Sequence, residues 1–287
     1  MYKRQDPVYD VPGGGGRGSV YRRSKTFAMP EAGRIIGGWG HVHGGAKALD
    51  LRRADCKGGG LIYRSRPTWG ARSHPFYNVR PILHEPGPIA MSGFNSARGY
   101  PVAKGERLRL SSIYDDELPH TRVMGIYVVY VASDPSVGRC GAMPGDQYYG
   151  WTRTDGRRSA PRFRVPLTGL DGRGQAITIS RPPGATRRLR GGATVNVGSN
   201  FFRARNLSIP QGASLTWRFD TAPGDEALHN VTLANGPQGF SSLNLNDGRT
   251  FSRRFTKPGT YRYFCGLHPV DMTGTITVRP KGGGSKS

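Results

Sequence analysis

Long apolar runs are missing from this chain. The longest, Met124 to Ala132, falls far short of the roughly 20 residues that a membrane-spanning helix needs, so neither a transmembrane segment nor an export signal is expected within it. Amphipathic repeats at helical spacing are absent too, whereas glycine fills 43 of the 287 positions, about twice its average usage. Short apolar stretches separated by glycine-rich turns favour all-β structure. Acidic groups are scarce, with 19 Asp and Glu against 42 Lys and Arg and a net charge of +23. No helix-turn-helix or zinc-finger spacing accompanies that charge, so no specific nucleic-acid binding is expected. The basic excess has two accounts: compositional drift toward arginine, or a surface that steers an anionic surface or an acidic protein partner. Only three cysteines are present, Cys56, Cys140 and Cys265, too few for a disulfide-built scaffold.

The length accommodates two domains of ordinary size, each able to bury a core. Charge and composition divide the chain. Residues 1–191 hold 31 basic and 14 acidic side chains, and residues 192–278 hold 8 and 5. Between Cys140 and Gly191 the sequence is dominated by Gly, Pro and Arg, with ten basic and three acidic residues. That stretch is expected to act as a connector, flexible around Arg187 to Arg190. The expected organisation is an N-terminal segment at 1–32, a β-sandwich at 33–140, a basic linker at 141–191, a second β-sandwich at 192–280 and a disordered tail at 281–287.

The stretch that carries chemistry lies in the second of these domains. Gly259-Thr260-Tyr261-Arg262-Tyr263-Phe264 alternates as a strand does, and Cys265, His268 and Met272 follow it at short intervals. A thiolate, an imidazole and a thioether together suit copper, and a blue-copper centre needs one more histidine, with the methionine as a weak axial ligand. His229 is the candidate: it heads the alternating run His229-Asn230-Val231-Thr232-Leu233, where Val231 and Leu233 share its parity. Taken singly, Cys265 is equally an inert core thiol and His268-Pro269 a turn. The combination selects the metal.

Residues 192–280 resemble the cupredoxins, the plastocyanin and azurin family, in which an upstream histidine joins a C-terminal Cys, His, Met loop. The resemblance implies a Greek-key β-sandwich and a type I copper held by His229, Cys265, His268 and axial Met272. It also implies one-electron exchange with a redox partner protein, with His268 as the exit. Three residues separate His268 from Met272, where amicyanin-like loops have two and plastocyanin-like loops four.

The first domain holds a second constellation. In Gly40-His41-Val42-His43-Gly44 the two histidines are two apart, which on a strand puts both rings on one face. Met124 opens the stretch Met124-Gly125-Ile126-Tyr127-Val128-Val129-Tyr130, apolar on both parities and expected to form a central buried strand. This arrangement resembles the C-terminal half-domain of the copper-dependent, ascorbate-using monooxygenases. That likeness implies a jelly-roll-like sandwich with a possible second copper on His41, His43 and Met124. The alternatives are a turn with two exposed imidazoles, and a methionine that fills the core. His74 and His84 are expected to be structural or surface groups, and His120 a supporting group or an alternative ligand. Cys56 and Cys140 make a possible disulfide, or either pairs with a segment outside this chain.

Met1-Tyr2-Lys3-Arg4-Gln5 resembles translated adapter sequence, so the chain is expected to be a fragment whose export signal lay upstream, and the intact protein secreted, periplasmic or on the cell surface. Three functions follow as expectations. The first is a copper electron carrier, the second a copper monooxygenase whose cupredoxin is a built-in electron donor, and the third a copper-storage or surface-binding module.

Overall fold

Alternating apolar residues make β-strands here because each strand faces water on one side and a partner sheet on the other. The computed structural model describes all residues except 1–7, 58–59, 72, 78–84, 146–168, 171–172, 174–175, 221–226, 247 and 282–287. His84, the 281–287 tail beyond Lys281 and much of the 141–191 linker therefore lie outside the described residues. Among those described the molecule is all-β, with a single 3₁₀ turn at Pro75–Tyr77. None of the described helical structure is long and apolar enough to cross a membrane.

Eight strands build the first sandwich: β1 (Val8–Val11), β2 (Val20–Ala28), β3 (Gly33–Val42), β4 (Ala46–Arg53), β5 (Leu61–Ser65), β8 (Gly93–Val102), β9 (Arg107–Asp115) and β10 (His120–Ser133). Two short strands, β6 (Pro67–Thr68) and β7 (Ala90–Met91), pair at its side. One sheet has the order β1-β10-β3-β8, the other β2-β9-β4-β5. Between them lie Val42, Leu49, Trp69, Tyr114 and Val123 in one cluster and Ile35, Leu51, Phe94, Tyr100 and Leu108 in another.

Two features differ from the sequence-based expectation. Strands β1 and β2 precede residue 33 yet pair along β10 and β9, so the sandwich takes in residues assigned to a separate N-terminal segment. The reason is legible in β2: it is an edge strand whose only packed side chains are Tyr21 and Phe27, and its basic residues hide the alternation. The second difference is β10. Its later residues Val128, Tyr130 and Val131 are exposed, because only Tyr127 and Val129 of that stretch turn to the core.

The connector contributes β11 (Gly169–Leu170), β12 (Ala176–Ile177) and β13 (Arg187–Arg188). The expected hinge at 187–190 is instead fastened. Strand β13 pairs in parallel with β16 (Asn206–Pro210), Leu189 O accepts from Arg279 Nη2 at 2.7 Å, and Ile179 is buried against Ala234 and Phe264. Backbone polar groups in a packed segment need partners, and the edge of the second sandwich supplies them. A cleft of about 390 Å³ between this connector and the loop at Pro269 to Asp271 is also lined by Arg181 and Arg205.

The second sandwich adds β14 (Ala193–Gly198), β15 (Phe201–Phe202), β17 (Ser214–Phe219), β18 (Thr232–Asn235), β19 (Thr250–Arg254), β20 (Gly259–Phe264) and β21 (Thr273–Arg279). Its sheets run β13-β16-β21-β20-β18 and β15-β14-β17-β19. Trp217 is the centre of its core, with Phe240, Phe251, Phe255 and Tyr263 rings 5.4 to 6.5 Å away.

Candidate metal centre

Strand β20 delivers Cys265 at its end, and the next seven residues are folded back by their own amides. His268 N donates to Cys265 O at 3.1 Å, Met272 N to His268 O at 3.0 Å and Cys265 N to Met272 O at 2.9 Å. The loop is thus closed before β21 begins at Thr273. His229 lies just ahead of β18, not within it, in an isolated bridge with Leu245 whose two amide hydrogen bonds are 2.9 and 2.8 Å long.

These elements converge. Cys265 Sγ lies 4.0 Å from His229 Nδ1 and 3.7 Å from His268 Nδ1, and the two imidazole centroids are 4.9 Å apart. Bonds of about 2.0 Å to nitrogen and about 2.3 Å to sulfur meeting at 120° place nitrogen and sulfur about 3.7 Å apart. The three donors therefore fit one soft cation. His229, Cys265 and Met272 are fully buried, and Cys265 and Met272 belong to the same core cluster as Trp217 and Tyr263. His268 is partly exposed, and Leu228, Leu243, Leu267 and Val270 are exposed apolar residues of the same loops.

Asn230 ties the two ligand segments together, a role that residue spacing did not suggest. Its amide donates toward Cys265 Sγ at 3.4 Å, and its Oδ1 accepts from Gly266 N at 2.7 Å and from Thr232 Oγ1 at 3.2 Å. Its Nδ2 donates to Asn244 Oδ1 at 2.9 Å. A cysteine sulfur that accepts this amide hydrogen bond and packs in an apolar core is held in one orientation.

The first sandwich also reaches this centre. Gly239 N donates to Pro12 O at 2.7 Å, and Ser241 Oγ donates to Asp10 at 2.7 Å. Residues 239–242 are bonded on their other side to the strand that follows His229, through Leu233 N to Phe240 O at 2.9 Å and Ser242 N to Val231 O at 2.8 Å. Burial pushes the Asp10 carboxyl up, with the Arg122 amide and Ser241 pulling against it.

The second candidate set shares one face of the first sandwich. His41 Nε2 and His43 Nε2 are 3.3 Å apart. In the register of β3 and β10, His41 lies opposite Ile126 and Val42 opposite Gly125, which carries His43 to the level of Met124. Tyr114 Oη joins them: it accepts from His43 N at 3.0 Å and donates to Met124 O. His120 is buried beside this set, its Nδ1 2.6 Å from Glu85 Oε2. His74 sits at the 3₁₀ turn, its ring 5.9 Å from Tyr77. Cys56 and Cys140 are joined as a disulfide with a Cα separation of 5.5 Å.

A sandwich core that contains a buried Cys, two His and a Met at its open end defines a copper-binding β-sandwich. Residues 192–279 match the family model described as copper binding proteins, plastocyanin/azurin family, and the chain belongs to that family. Amicyanin-alpha of Methylorubrum extorquens is 33% identical over 92 residues, which are 31% of this chain and 72% of that protein. Among solved structures, a purple cupredoxin from Nitrosopumilus maritimus is 29% identical, with 30% of this chain and 99% of that one covered at a TM-score of 0.27. A Cu(I) amicyanin variant is 26% identical over 32% of this chain and 85% of its own, also at 0.27. Residues 10–134 match the model described as Stress up-regulated Nod 19, a different family from the copper monooxygenases that the His-x-His and Met pattern resembles.

Proposed function

We propose that the chain is a one-electron carrier whose copper is of the type I kind, held by His229, Cys265 and His268 with Met272 as the weak axial ligand. The observation that carries this reading is the meeting of one thiol sulfur and two imidazole nitrogens at 3.7 and 4.0 Å inside an aromatic core. When bound, copper supplies a centre that alternates between Cu(II) and Cu(I). The residues hold the donors fixed, so little rearrangement accompanies each electron. Burial of His229, Cys265 and Met272 keeps water from the donors, and His268 offers the one partly open edge. The exposed Leu228, Leu243, Leu267 and Val270 around it suit the apolar face of a redox partner protein. The disulfide between Cys56 and Cys140 belongs to an oxidising compartment, which favours an exported protein. The test is Cys265→Ser: the intense thiolate-to-copper band of the purified chain disappears, and a variant that keeps it removes the reading.

A second reading adds a second copper, held by His41 and His43 with Met124 at the level of His43. Its support is the 3.3 Å between the two Nε2 atoms, the span of two bonds of about 2.05 Å meeting near the tetrahedral angle. Copper analysis decides it: two equivalents per chain, falling to one when His41 and His43 are both changed to Ala, are expected. One equivalent in the unaltered chain ends the second reading.

A further inference from the structure

Arg122 has an unusual backbone. It lies inside strand β10 with φ of +56°, a left-handed conformation that strains a non-glycine residue and persists only where the surroundings enforce it. The enforcing group is Asp10, whose Oδ1 accepts the Arg122 amide at 3.0 Å and which is itself held by Ser241. The result is a side chain aimed out of the first sandwich at the copper loop. A Cβ placed on Gly266, the residue after Cys265, would lie 3.5 Å from Arg122 Nη1 and 3.4 Å from Asn230 Oδ1.

We infer that Arg122 tunes the reduction potential of the cupredoxin centre from the neighbouring domain. The inference rests on the type I reading. With one thiolate and two neutral imidazoles as strong donors, the site has a net charge of about +1 as Cu(II) and zero as Cu(I). A fixed cation beside the thiolate loop disfavours the more positive state and so favours uptake of the electron. Arg122 is half-buried, where salt screens a charge less than at an open surface. Its own domain makes the first sandwich a positioning element for the redox centre, and the strained backbone is what aims it.

The experiment is a redox titration of the full, copper-loaded chain carrying Arg122→Gln, followed at the visible band. At a fixed ambient potential the Cu(II) to Cu(I) ratio rises by roughly tenfold, the effect of a unit charge within about 10 Å at an effective dielectric near 20. Arg122→Lys restores most of the original potential. Arg122→Gly relaxes the backbone and removes the charge, so it lowers the potential without lowering the melting temperature. An intact band with an unchanged potential in Arg122→Gln overturns the inference, whereas absence of the band from the unaltered chain overturns the type I reading instead.

Discussion

The two sandwiches solve the problem of a polar interior in opposite ways. The second concentrates aromatic rings, Trp217, Phe240, Phe255, Tyr261 and Tyr263, and its buried polar side chains are His229, Asn230 and Thr232 beside the candidate metal centre and Asn206, Ser208 and Thr275 on β16 and β21, none of them a carboxylate, lysine or arginine. The first distributes buried polar groups throughout. Arg53 and Glu106 face each other at 3.5 Å in its interior, Asp50 is buried under Arg64 at 2.6 Å, and His120 pairs with Glu85. Apolar burial is roughly additive and tolerant, while a buried charge is stable only as long as its partner stays. The second domain is thus a rigid frame around one site. The first depends on several matched pairs and a disulfide.

The comparison is broken most directly through the cores. Trp217→Ala is expected to cost about 3 to 5 kcal/mol through cavity formation, and Glu106→Ala a similar 3 to 5 kcal/mol by stranding Arg53. Denaturant unfolding followed separately at the copper band and at the β-sheet signal assigns each loss to a domain. A Glu106→Ala variant as stable as the parent would erase the contrast.

Next in size is the effect of metal. Copper at 100 times its dissociation constant stabilises the binding domain by about 2.7 kcal/mol, and calorimetry with and without copper is expected to register this. In His229→Ala the shift vanishes. A shift that survives would mean that the metal sits elsewhere.

Alkaline pH sharpens the comparison differently. Burial lifts the Tyr9 phenol from its usual 10.0 to about 12 and raises those of Tyr114 and Tyr127 in the first sandwich and Tyr261 and Tyr263 in the second. Below pH 10 these groups keep their protons folded or unfolded. Above it the unfolded chain releases protons that the folded chain retains, so stability falls as pH rises from about 10 to 12. Melting temperatures across that range check the sign, and a flat profile contradicts it.

The smallest expected effect is Gly45→Ala. Gly45 has φ of +79° and an added Cβ would run into the His120 ring, so a loss of about 1 kcal/mol or more is expected, measurable by chemical denaturation and confined to the first sandwich.

How much of this was legible in the sequence differs between the regions for physical reasons. The Cys265, His268, Met272 spacing and the alternation around Trp217 are local patterns, and local patterns survive in a linear string. His229 was recognisable by its residue type and the run it precedes, although the structure sets it in a bridge ahead of the strand. Strand β2 was not legible, because an edge strand rich in Arg and Lys carries almost no apolar period. The exposed end of β10 misled for the converse reason: Val128 and Tyr130 are apolar but turn outward. Asn230, Asp10 and Arg122 matter through contacts between residues far apart in the chain, and no spacing records them. Asp10 and Ser241 are 231 residues apart.

The most direct measurement is a copper titration of the purified chain that follows the visible thiolate-to-copper band and total bound copper together. The account predicts that the band grows linearly and saturates at one equivalent, whatever further, weakly coloured copper the first sandwich takes up. Copper bound tightly with no intense band would contradict the central claim that Cys265, His229 and His268 hold the metal together.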